Sequence, residues 1–215
     1  MPESNDEIIL IDIYRRGMVY FLVFSNEVEI RTTKGVIGSY NFTKGMSFTP
    51  YQWREVKELL DKKFAWYTAE TFLARRAYSI GQFRRKMREK EISEALLNDI
   101  VGRFKDLKLL DDCRFAANRA ESILRRKPAG RGFLIADLQK RMIPRDVAEK
   151  IVGEILADKD ETVLAVELLE KKRSAYEKFD LETARRKAYN YLSRRAISYG
   201  AAREAFERVF ESDEP

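Results

Sequence analysis

Met87-Arg88-Glu89-Lys90-Glu91-Ile92-Ser93-Glu94-Ala95-Leu96-Leu97-Asn98-Asp99-Ile100-Val101-Gly102 is the stretch whose reading decides the fold, because it returns. Fifty-one residues later the chain reads Leu138-Gln139-Lys140-Arg141-Met142-Ile143-Pro144-Arg145-Asp146-Val147-Ala148-Glu149-Lys150-Ile151-Val152-Gly153. A further 54 residues on, Leu192-Ser193-Arg194-Arg195-Ala196-Ile197-Ser198 leads to Ala202, Ala205, Phe206, Val209 and Phe210. In each copy a basic residue stands two before an isoleucine, and serine or proline follows it: Lys90-x-Ile92-Ser93, Arg141-x-Ile143-Pro144 and Arg195-x-Ile197-Ser198. This is the chemistry of a helix corner. A cationic helix end suits the negative C-terminal dipole, the isoleucine turns into the core, and serine caps the next helix or proline starts it.

Apolar spacing around the corners predicts three helices per unit. They fall near 65–77, 79–90 and 93–107; then 112–126, 131–141 and 144–157; then 160–177, 181–195 and 198–210. A unit this small buries little by itself, so neighbours are expected to stack. The expected fold is mainly α, with three tandem three-helix repeats (65–110, 111–158 and 159–215) in an elongated curved array and a small β-rich N-terminal segment (1–48). Within that segment Ile8 to Tyr14 and Met18 to Phe24 are β-branched and aromatic, with Arg15-Arg16-Gly17 as a hairpin connection. Val28-Glu29-Ile30-Arg31-Thr32 alternates as a half-buried strand does, and Gly35, Gly38 and Gly45 are expected to punctuate turns. Thr49-Pro50-Tyr51-Gln52 then supplies an N-cap, a proline at the first helical position and a capping-box glutamine. Trp53, Val56, Leu59 and Leu60 follow at helical spacing in a linking helix over 49–64.

The chain has no histidine and one cysteine, Cys113. The commonest general base and metal ligand is therefore missing, as are thiolate zinc sites and internal disulfides. Asp111-Asp112 reads as helix-cap charge in preference to a Mg²⁺ pair, and Cys113 as an ordinary first-turn residue. No Gly-Lys dipeptide occurs, which removes the Walker A loop, and Gly130-Arg131-Gly132 reads as a turn between helices. Phe72, Tyr78, Phe83, Phe104, Phe115, Tyr189, Tyr191, Phe206 and Phe210 stand mostly at core spacing. The expectation is a binding protein that is not an enzyme, with no catalytic residues, metal, cofactor or small-molecule substrate. No apolar run reaches the roughly 18 residues of a membrane helix, and the acidic start Met1 to Glu7 does not read as a secretory signal, so a cytoplasmic place is expected.

Charge is unevenly placed. Residues 1–64 balance 9 basic against 9 acidic residues, so the remaining 151 carry the whole +6 excess. The clusters are Arg75-Arg76; Arg84-Arg85-Lys86 with Arg88; Arg125-Arg126-Lys127 with Arg131; Lys140-Arg141; Lys171-Lys172-Arg173; Arg185-Arg186-Lys187; and Arg194-Arg195. Any one of them alone is a solvated helix face. Together, with basic residues on the middle helix of each unit, they suggest a stripe facing an acidic protein groove or a phosphate backbone.

With those residues in view, the chain resembles the RecX family of bacterial regulators. The likeness rests on Leu109-Leu110-Asp111-Asp112-x-x-Phe115-Ala116, the basic residue before Ile143, and Ser193-Arg194-Arg195-Ala196-Ile197-Ser198. Leu73-Ala74-Arg75-Arg76-Ala77-Tyr78-Ser79, followed by Phe83 and Met87, resembles the family's first-repeat signature, and the match spans about residues 65–212. Met142 and Ala196 stand where the family tends to carry glycine; both are compatible with a helix end, and either can alter the local turn. The β-rich segment is not a feature of every member. The resemblance implies a cytoplasmic protein that binds the RecA filament on single-stranded DNA, lies in its helical groove and inhibits its ATPase and strand-exchange activity. The basic residues named above, other than Lys171, Lys172 and Arg173, are then candidates for contact with RecA or DNA. The alternative is a stand-alone protein binding single- or double-stranded DNA, because three-helix units with basic corners also resemble helix-turn-helix modules.

Overall fold

A computed structural model describes residues 7–211, and the chain divides into two compact units, residues 1–76 with 83–109 and residues 77–82 with 110–215. In the first, the β-branched runs pair as an antiparallel sheet. β1 (Ile8–Arg16), β2 (Val19–Phe24), β3 (Glu29–Thr32) and β4 (Ser47–Phe48) lie in the order β3-β2-β1-β4. The β1–β2 connection is tighter than Arg15-Arg16-Gly17, since the strand continues to Arg16 and Gly17 turns the chain at φ +63°. Alternation sends Leu10, Leu22, Phe24 and Ile30 into a core shared with Phe48, Trp53 and Leu60.

Two expectations for this unit are corrected. Gly35 and Gly38 do not mark turns; they lie in a short helix, α1 (Lys34–Ser39), which forms because the Thr33 side chain accepts from the Val36 amide. Gly45 alone of the three turns at positive φ. The break expected between a linking helix and the first repeat, at 64–65, is absent: α2 (Pro50–Arg75) is one helix of 26 residues. Thr49 and Gln52 start it with a reciprocal capping box behind Pro50, as read from the sequence. Nothing in Lys62-Lys63-Phe64-Ala65-Trp66 breaks a helix, and Leu60, Phe64 and Thr68 continue one buried stripe at four-residue spacing. α3 (Ile80–Arg88) and α4 (Glu94–Asp106) follow, with Phe104 edge-on to Trp66 and to Phe83.

The second unit holds α5 (Asp112–Arg126), α6 (Arg131–Lys140), α7 (Arg145–Leu156), α8 (Glu161–Glu170), α9 (Arg173–Tyr176), α10 (Leu181–Ser193) and α11 (Tyr199–Phe206), the last running into a π turn at Glu207–Glu211. The helix expected over 160–177 is two, because the polar run from Glu170 to Ser174 offers no buried position beyond Leu169. One core gathers Ala116, Ala120, Leu134, Leu138, Ile143 and Val152, and another Leu168, Leu169, Ala188, Leu192, Ile197 and Phe206.

The three corners share one geometry. Glu91, Met142 and Ala196 take left-handed φ values of 60°, 61° and 54°. The amides that follow, of Ile92, Ile143 and Ile197, donate back to the Met87, Leu138 and Leu192 carbonyls at 3.4, 3.1 and 3.2 Å. This is a Schellman end, and each isoleucine is buried behind it. The turn is thus kept at Met142 and Ala196 without glycine, at a cost of about 1–2 kcal/mol per left-handed residue that burial of the isoleucine offsets. Ser93 and Ser198 then cap α4 and α11, and Pro144 precedes α7.

Candidate functional site

Each corner exposes the carbonyl of its basic residue, and each carbonyl is taken up. Lys90 O accepts from the Arg31 guanidinium at 2.9 Å, while Arg31 also pairs with Glu91. Arg141 O accepts from the Ser79 hydroxyl. Arg195 O accepts from the Gly130 amide at 2.8 Å. Approach is close enough to require glycine: a Cβ on Gly81 would stand 2.6 Å from Met142 Cβ, and one on Gly130 would stand 2.1 Å from Ala196 O. Gly130 and Arg131 therefore do form a turn and a helix start, as their spacing suggests.

The candidate cations separate into two kinds. On α3 they are consumed locally. Arg84 donates to Asn98 and lies 3.7 Å from Glu94, Arg85 lies 3.9 Å from Glu89, Lys86 bonds Glu89, and Arg88 makes two bonds to Glu94. The Arg88 bond holds the Glu94 carboxyl below the usual carboxylate range, and Lys86 does the same to Glu89. Arg141 pairs with Asp137, which also takes a two-pronged bond from Arg119 at 2.7 and 2.8 Å. The Arg119 bond, with Arg141 assisting, keeps Asp137 ionised to lower pH than a free carboxyl. Arg185 pairs with Glu211, and Arg131 donates to the Glu149 carbonyl. Arg75 and Arg76 end α2, and Lys140 lies exposed in the last turn of α6.

Arg126, Lys127, Arg186, Lys187, Arg194 and Arg195 converge within the second unit. One groove is lined by Lys127, Lys172, Arg186, Lys187, Asn190 and Arg194, with Tyr176 and Tyr191 beside them. A second shares Lys127 and continues past Arg126, Arg119, Phe133, Asp137 and Arg195. Among the described residues no carboxylate lines the first groove, and none pairs with Lys127, Lys172, Arg186, Lys187 or Arg194. Rings orient several of these cations instead: Lys127 lies over Tyr191 at 4.7 Å, Lys187 over Phe179 at 4.4 Å and Arg195 over Phe133 at 5.2 Å. Burial raises the Tyr176 phenol pKa, Tyr191 adds to the rise, and Arg194 opposes both. Arg125 sits exposed in the last turn of α5 but outside both grooves. The middle helices thus do not contribute alike: α10 supplies cations to the groove, and Lys140 of α6 and its C-cap Arg141 do not line it. Sequence reasoning left Lys172 and the two tyrosines out of the site, and no local pattern joins them to Lys127.

Among the described residues no group of three or more His, Cys, Asp or Glu side chains is placed to hold a metal ion, and no helix is long and apolar enough to cross a membrane. Fold and surface together define a mainly helical protein with a small N-terminal antiparallel sheet and a cation-lined groove. No protein-family model matches the chain. Its relatives are nevertheless consistent. A regulatory protein RecX of Chlorobium phaeobacteroides is 29% identical over 152 residues, covering 71% of this chain and 97% of the relative. One of Leuconostoc mesenteroides is 21% identical, covering 94% and 76%. The crystal structure of RecX from Lactobacillus salivarius gives a TM-score of 0.63 at 20% identity, covering 69% of this chain and 96% of that one. A second RecX crystal structure gives 0.61 at 16%, covering 91% and 97%; likeness at these identities concerns the fold. Over most of its length the chain is thus similar to regulatory RecX proteins, and it shares their fold.

Proposed function

We propose that the chain is a RecX-type regulator that binds the RecA filament on single-stranded DNA and inhibits its ATPase and strand-exchange activity. The reading carries with it a cytoplasmic, non-enzymatic role in homologous recombination, DNA repair and the SOS response. What supports it most is the match of 71% of this chain to nearly the whole of a regulatory RecX protein. The helices are read as three tandem three-helix repeats: the C-terminal part of α2 with α3 and α4, then α5 to α7, then α10 and α11 with α8 and α9 together in the place of one helix. Support for that grouping comes from the corner that recurs at Glu91, Met142 and Ala196.

The test is RecA ATPase on single-stranded DNA with the protein titrated in. Inhibition well below one protein per RecA is the expected result. Inhibition seen only as the protein coats free DNA, or none at all, refutes the reading. The second reading, a stand-alone DNA-binding protein, is favoured by the cations without carboxylate partners around α10. Salt-sensitive DNA binding with no effect on RecA would select it.

A further inference from the structure

We propose that the open edge of β1 is a docking surface for a second copy of this chain, paired antiparallel across Asp12 to Arg16 with Tyr14 on the two-fold axis. The inference concerns the N-terminal sheet and stands apart from both readings of the function.

On one side β1 pairs with β2 as far as Arg16. On the other, β4 pairs only at Ile8 and Ile9, and the chain before β4 takes the Leu10 amide and carbonyl through Met46 and Gly45. Among the described residues no strand pairs with that edge from Ile11 onward. The two-residue turn at Gly17 and Met18 makes Arg16 and Val19 its closing hydrogen-bonded pair, so Tyr14 with Phe21 and Asp12 with Val23 are bonded pairs too. Ile13 and Arg15 therefore turn their amides and carbonyls to the open side. There the Ile13 amide donates to the side chain of its own neighbour, Asp12, at 2.8 Å. That contact and the Asp12–Lys44 ion pair guard the edge against indiscriminate pairing.

What selects a second copy is the order of charge along the strand. Asp12-Ile13-Tyr14-Arg15-Arg16 sets an acid and a base equally far from Tyr14. In an antiparallel pair centred on Tyr14, Asp12 of each copy stands opposite Arg16 of the other, so the attraction is made at both ends. Ile13 of each copy meets Arg15 of the other, and these are the residues whose main-chain groups face the open side. Asp12, Tyr14 and Arg16 share the outer face of the sheet, opposite the one that Leu22 and Phe24 bury against Trp53 and Leu60. That outer face is already held in place. Tyr14 stacks on Phe21 with ring centres 5.0 Å apart and donates to Glu29, while Arg16 lies 5.2 Å over the Tyr14 ring and pairs with no carboxylate among the described residues. The lengths match as well: the second copy's strand would end opposite Asp12, and the chain leading into β4 takes over at Leu10, with only the exposed Ile11 between them. An extended acidic peptide would suit Arg15 and Arg16 but would gain nothing from Asp12.

The experiment is sedimentation equilibrium of the full chain, without RecA or nucleic acid, from about 5 to about 500 µM, because an edge this short makes a weak and transient contact. A reversible monomer–dimer equilibrium is expected. D12R and R16D each set like charges opposite one another at both ends of the pair and should weaken dimerisation by at least about fivefold. An equimolar mixture of the two variants restores opposite charges at both ends of a heterodimer, so it should associate within about twofold of the parent. R15P takes an amide from the open edge, spares the bonds to β2 and should leave a monomer, whereas R15Q keeps the amide and should dimerise within about twofold of the parent. Should R15P lose its β signal in circular dichroism, the mixture of charge variants decides alone. A parent that stays monomeric over the whole range overturns the proposal. So does undiminished dimerisation by D12R or R16D alone, or a mixture of the two that stays monomeric.

Discussion

Gly130→Ala tests whether the corners act as packing joints. The Gly130 amide donates 2.8 Å to the Arg195 carbonyl, and an added methyl would begin 2.1 Å from the Ala196 oxygen. The segment must retreat by about 1 Å to reach van der Waals contact, which takes the hydrogen bond with it. Leaving a buried amide without its acceptor costs about 1–3 kcal/mol, and the displaced packing about 1–3 kcal/mol more. The substitution stiffens the unfolded chain and returns about 0.4–1 kcal/mol, so a net loss of about 1–5.5 kcal/mol is expected. At roughly 2–4 °C per kcal/mol for a chain of this size, the thermal midpoint should fall by about 2–20 °C. Far-UV circular dichroism across urea and heat reads both quantities. Two companions fix the sign. Gly132→Ala places its methyl 3.2 Å from Ala196 Cβ, a contact that a small shift relieves, and should lose no more than about 1 kcal/mol. Gly102→Ala, within α4 and with nothing near it, should gain about 0.5–1 kcal/mol. A Gly130→Ala protein as stable as the parent, or less perturbed than Gly132→Ala, would refute the joint.

Ala196→Gly should raise stability by about 1 kcal/mol, because Ala196 holds φ +54° and only a methyl is lost; a lowered urea midpoint would show that the methyl's packing outweighs the backbone relief. Asp137 should make stability pH-dependent on the acid side. Its folded pKa is depressed by Arg119 and Arg141, so its contribution is full above the unfolded carboxylate value near 4 and is lost as pH falls through the folded value. Asp137→Asn should flatten that part of the acid unfolding curve, and an unaltered curve would assign the dependence to other carboxylates.

Much of this architecture can be read from local chemistry. Thr49-Pro50-Tyr51-Gln52 announces α2, the β-branched runs give β1 to β3, and three basic-x-isoleucine corners mark three helix ends. The break at 64–65 is absent because Phe64, Ala65 and Thr68 carry the buried stripe of α2 onward. The α1 helix escaped notice because glycines outweighed the Thr33 cap. Pairing on α3 was open to inspection, since Glu89 lies three and four residues from Lys86 and Arg85. The groove was not. Lys127, Lys172 and Arg194 are 45, 22 and 67 residues apart in pairs, and only the packing of α5, α8 and α10 brings them together.

A guanidinium, a hydroxyl and a main-chain amide fill the same role at Lys90, Arg141 and Arg195. Each corner thus asks for one donor at one point in space and is indifferent to the residue that brings it. Such a socket leaves almost no trace in the identity of its donor, so a relative can keep the connection with a different donor residue. It also accepts leading segments of unrelated shape. At Lys90 the plug is a strand, through Arg31, where the two later sockets take the start of a helix.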